Sequence, residues 1–129
     1  MSQFPSIMSL HLRYRLRIAE MNCDINVLRI FDDYLNELRA KRNEPHVTAK
    51  IEEFSKRFIG VRKEIDELRD AMHIVKMELA ALSRENKALD AGAYKKQNLE
   101  ELKEKYFVFR KSFEKLKDEF ISFESEWLQ

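Results

Sequence analysis

Between Thr48 and Leu89, apolar residues recur at alternating steps of three and four: Ile51, Phe54, Phe58, Val61, Ile65, Leu68, Met72, Val75, Leu79, Leu82 and Leu89, with Asn86 the one polar member. With Ile51 as an a position, this is a heptad stripe sustained over about six repeats. A stripe of that period predicts a long helix that buries a narrow seam against other helices. At roughly 1.5 Å per residue the helix is about 60 Å long, so it is a rod with other elements lying along it.

The rest of the chain agrees with an elongated all-α protein. Only two glycines and two prolines interrupt 129 residues, and 36% of the residues are charged, against a usual share of roughly 25%. Nine phenylalanines and the regular period exclude a disordered chain. Leu99, Leu102, Tyr106, Phe109, Phe113, Leu116, Phe120, Phe123 and Trp127 repeat the three-four spacing and predict another helix. Asn98 with Glu101 resembles a capping box for it, unless the helix begins earlier, near Tyr94. Gly92, within Leu89 to Ala93, supplies a stop for the preceding helix.

The N-terminal third reads two ways. From Met8 to Ile18 the even positions are apolar and the odd ones are Ser9, His11, Arg13, Arg15 and Arg17. Strict alternation is the pattern of a half-buried strand, which would need a partner strand from another chain. Wound as a helix, the same residues set Met8, Leu12 and Leu16 on one side and Leu10, Tyr14 and Ile18 nearly opposite. That is a helix with neighbours on two sides. From Asp24 to Arg39 the helical signal is clear, with a broad apolar face of Val27, Leu28, Phe31, Tyr34, Leu35 and Leu38 that also implies two neighbours. Pro45 ends this helix, residues 43–47 form the connection, and Thr48 is the expected N-cap of the next.

The expected architecture is one domain over residues 1–129: an antiparallel bundle of three long helices, at about 6–42, 48–90 and 94–128, with heptad packing and the option of a strand at 8–18. The candidate association or core seam is Ile51, Phe58, Ile65, Met72, Leu79 and Asn86, with Tyr106, Phe109, Phe113, Phe120, Phe123 and Trp127. Asn86 either fixes register in a buried seam or lies where the seam opens to water. Trp127, near the end of its helix, is expected to be uncovered and so to offer a subunit contact. Gly60 is either an exposed residue or a point of close backbone approach.

Catalytic chemistry finds little to work with. The histidines are His11, His46 and His73, and no Glu-x-x-His occurs; Asp70 to His73 has that spacing once, with the shorter acid. A di-iron site needs two such motifs. Phosphotransfer through His73 has no support beyond the residue itself. Cys23, the single cysteine, lies in an apolar stretch and reads as a small core residue. No nucleophile elbow or phosphate-binding glycine loop is present. The expectation is therefore a non-enzyme without cofactor, metal or small-molecule substrate.

Twenty-four basic and 23 acidic residues leave a net charge of +1, so no global field draws the chain to nucleic acid or acidic lipid. Arg13, Arg15 and Arg17 form the candidate basic cluster; on a strand they would share one face at about 6.6 Å intervals and could track phosphates. A membrane-spanning helix is not expected, since no window approaches 18 apolar residues, and the start is a poor signal peptide, which points to the cytoplasm. The expected function is a structural or protein–protein interaction module that self-associates through helical seams. Its partner is a second copy, with a dimer favoured, or another helical protein. The alternative is a nucleic-acid-associated accessory protein using the arginine cluster.

Overall fold

A computed structural model describes residues 6–85 and 96–127 of the protein. They form three helices, α1 (Ile7–Lys41), α2 (Pro45–Arg84) and α3 (Lys96–Trp127), with no strand among the described residues. The alternation at 8–18 therefore winds into helix. Ser6 caps α1: its Oγ accepts a hydrogen bond from the Ser9 N–H at 3.1 Å, satisfying one of the four donors a helix start leaves open. A helix also pairs its own backbone groups, which a strand alone in the chain could not.

The first connection is shorter than expected. Residue 42 caps α1, its N–H donating to the Leu38 carbonyl at 2.9 Å, and α2 opens at Pro45. The proline starts a helix where the sequence reading ends one. At the first helical position its missing N–H costs nothing and its fixed φ is already helical. Thr48 consequently lies inside α2, its N–H donating to the Glu44 carbonyl at 2.9 Å, and is not the cap. Asn98 likewise lies within α3 rather than at its N-cap. Asn86, Leu89, Gly92 and Tyr94 lie outside the described residues.

Side-chain pairs along the bundle set its register. Arg39 with Glu52, Asn22 with Arg69 and Met8 with Ser83 make α1 and α2 antiparallel. Arg17 over Tyr106, Asp24 with Arg110, and Phe31 against Phe120 make α1 and α3 parallel. The backbones of α1 and α2 run close together, while α3 stands further off. Its seam explains this, because Tyr106, Phe109, Phe113, Phe120 and Phe123 are all buried and large side chains at a contact increase the distance between axes. Phe120 is central: its ring centroid lies 4.5 Å from Phe31 and 5.3 Å from both Phe54 and Phe58.

Gly60 points into open space, with nothing within 4 Å of where a Cβ would sit. Close backbone approach is thereby excluded. Gly60→Ala should stabilise the protein by about 0.5–1 kcal/mol, because alanine lowers the entropy of the unfolded chain without meeting a neighbour. Urea unfolding of the two proteins measures this, and a loss of stability would contradict it.

Candidate association surface

The seam positions named by the heptads are occupied within the chain. Ile51, Phe58, Ile65, Met72 and Leu79 of α2 are buried, as are Tyr106, Phe109, Phe113, Phe120 and Phe123 of α3. Together with α1 they form one continuous core. Trp127 is partly buried rather than uncovered. The α1–α2 connection and the start of α2 cover it: the Arg42 guanidinium lies 5.7 Å from the ring centroid, Arg42 Nε donates to the Trp127 carbonyl at 3.2 Å, and His46 meets the ring edge-on at 5.2 Å. Charges beside the α2 seam are also used internally. Arg57 donates to Glu119 at 2.6 Å, and Arg69 to Asn22 at 2.9 Å and to Asp66 at 3.2 Å.

The basic cluster is separated. On a helix Arg15 points away from Arg13 and Arg17, which stand one turn apart. Arg17 is further committed to an aromatic nest, its guanidinium 5.3 Å from the Tyr14 centroid, 5.5 Å from Tyr106 and 5.6 Å from Phe107. Three cation–π contacts hold it against the protein. The even row of arginines that a strand would present is not formed.

A polar cluster that sequence reasoning missed crosses from α1 to α3. Asp24 is the buried charged residue of the core, and Arg110 grips it with two hydrogen bonds, Nη1 to Oδ2 at 2.5 Å and Nη2 to Oδ1 at 2.8 Å. Arg110 Nε also meets Glu20 Oε1 at 2.7 Å, and Lys117 pairs with Glu114 at 3.0 Å. Burial pushes the Asp24 carboxyl up to about 6, against the pull of the Arg110 charge. Burial, and next the Glu20 charge, push the Tyr106 hydroxyl up to about 12. This is a clamp between helices, with each charge answered by another. A register that starts at Ile7 reveals it: Ile7, Tyr14, Met21, Leu28 and Leu35 are a positions, and Leu10, Arg17, Asp24, Phe31 and Leu38 are the d positions. Arg17 and Asp24 then stand out as polar residues in a seam. Among the described residues, no group of three His, Cys, Asp or Glu side chains is placed to hold a metal ion.

The opposite face of α1 is apolar and uncovered. Met8, Leu12 and Leu16 are 56–61% exposed, Ile30 is 48% and Tyr34 44% exposed. Ala19 and Cys23 are exposed between them, and Val27 is partly so. Cys23 is thus a surface residue and not the core residue its apolar neighbours imply, because those neighbours belong to two different faces. At 3.6 residues per turn, Met8, Leu12, Leu16, Ala19, Cys23, Val27, Ile30 and Tyr34 fall within roughly 100° of arc. At its C-terminal end this stripe borders a groove of about 200 Å³ between α1 and α3, lined by Ile30, Phe31, Tyr34, Phe120, Ile121 and Glu124. The alternation of 8–18 is therefore two helical faces interleaved, and nothing among the described residues covers the outer one.

No helix among the described residues is long and apolar enough to cross a membrane. No family model, no curated protein and no solved structure matches the chain.

Proposed function

We propose that this protein is a non-enzymatic structural or interaction module that self-associates through a helical face. The observation that supports this reading is the outer stripe of α1, an uncovered apolar strip running most of the length of a helix whose inner side is already buried. Continuous exposed apolar surface of this extent is costly in water and marks an interaction site. The heptad seams of α2 and α3 are spent on the protein's own core, so association falls to α1. A helix with apolar residues on two sides has two neighbours to satisfy, and the chain itself supplies them for one side.

Light scattering over a range of concentrations tests the reading. The expected mass rises from 15.5 kDa toward twice that value as concentration increases. A mass that stays at 15.5 kDa at high concentration would refute self-association and leave a foreign partner as the occupant of the stripe.

A further inference from the structure

We infer that the occupant of the α1 stripe is a second copy of this chain, docked antiparallel, with the two-fold axis passing beside Cys23. This rests on the self-association reading and gives it a geometry. The stripe is a palindrome. Stepping outward from Cys23 by four residues meets Ala19 and Val27; by seven, Leu16 and Ile30; by eleven, Leu12 and Tyr34. These six and Cys23 lie on the same outer face, none of them fully buried. Reversing the direction of the helix therefore superimposes the stripe on itself, which is what an isologous two-fold interface demands.

In the antiparallel arrangement Leu16 of each copy meets Ile30 of the other, Leu12 meets Tyr34, and Ala19 meets Val27. The small residues Ala19 and Cys23 occupy the centre, where two helix axes approach most closely. The larger ones fill the flanks, and Leu12 and Leu16 of the second copy come to lie beside the groove at Ile30, Tyr34 and Ile121.

Charge supports the same direction. Along one border of the stripe run Arg15, Asn22, Asn26 and Asp33, all exposed. Antiparallel docking brings Arg15 of each copy to Asp33 of the other, so that both ends of the border are complementary, while Asn22 stays with Arg69 of its own chain. Parallel docking would set this border against the opposite one, so that Arg15 and Asp33 could not meet. The contact spans about 33 Å of helix from Leu12 to Tyr34. One pair of helix faces of that length makes a small interface, and small interfaces, near or below roughly 1,000–1,200 Å² in total, are weak, so the dimer should be concentration-dependent.

Charge reversal tests the geometry. Arg15→Glu and Asp33→Arg each place like charges together at two symmetric points, and each should weaken the dimer about tenfold. The double variant Arg15→Glu with Asp33→Arg exchanges the charges and should restore dimerisation. A short bismaleimide should also join two copies through Cys23 at concentrations where the mass is that of a dimer. Circular dichroism establishes that the surface variants keep their helices. If the protein dimerises but neither single reversal weakens it and Cys23 does not cross-link, the antiparallel α1 interface is wrong while self-association stands. If single reversals weaken the dimer and the double variant does not recover, Arg15 and Asp33 do not face one another and the geometry is overturned. A protein that stays monomeric throughout refutes both.

Discussion

Phe120→Ala is expected to destabilise the protein by about 4 kcal/mol. Phe120 is 2% exposed, and its ring touches Phe31 of α1 as well as Phe54 and Phe58 of α2, so it joins all three helices at one level. Removing it deletes the transfer energy of a buried ring, leaves a cavity among rings that cannot easily close over it, and breaks aromatic pairs each worth about 0.5–1.5 kcal/mol. Phe107→Ala is the control: the same chemical change on the same helix, but 47% exposed, should cost about 1 kcal/mol or less. Urea unfolding followed by circular dichroism reads both. Equal, small losses at the two positions would mean that α3 is not seated on the α1–α2 pair as described.

Much of this packing is legible in the chain, because a heptad stripe is a statement about burial. The residues that the three-four spacing singles out in α2 from Ile51 to Leu79 and in α3 from Tyr106 to Phe123 are buried, except Val61 and Val75, which are partly buried against the same core. What escapes reading lies in α1 and at the helix ends. Pro45 illustrates the ends: proline terminates a helix or begins one, and the two cases differ only in which side carries the following turns. In α1 the difficulty is superposition. Two apolar faces with Arg13, Arg15 and Arg17 interleaved imitate a strand, and Cys23 among Met21, Ile25 and Val27 looks internal although it belongs to the outer face. Asp24 is illegible for the opposite reason. A carboxylate at a core position is discounted unless its cation can be named, and that cation, Arg110, lies 86 residues away on another helix.

Arg110→Met should cost about 2 kcal/mol at pH 7 and more at higher pH, because it leaves the Asp24 carboxyl in the core without its cation. The loss should depend on pH in a direction that follows from Asp24 itself. Its carboxyl titrates near 3.8 in an ordinary setting and at about 6 in the fold. The folded state therefore holds the proton more tightly than the unfolded one. The stability that this contributes is complete below about pH 4 and is lost as pH rises through about 6, a change of about 3 kcal/mol in the native protein. Arg110 moderates that loss, since its charge pulls the Asp24 carboxyl down against burial. Without the guanidinium the carboxyl rises further, the window of loss extends to higher pH, and the gap between the variant and the native protein, about 1 kcal/mol near pH 4, widens above about pH 6 by about 1.4 kcal/mol per pH unit until Asp24 of the variant ionises. Adding Asp24→Asn to Arg110→Met should recover most of the gap at pH 7, because an amide in the core carries no charge to strand. Urea unfolding of the three proteins at pH 4, 5.5 and 7 decides the matter. A cost for Arg110→Met that does not change with pH, or that Asp24→Asn fails to relieve, would show that Arg110 acts through the packing of its stem over Phe109 and Phe113 rather than through the charge on Asp24.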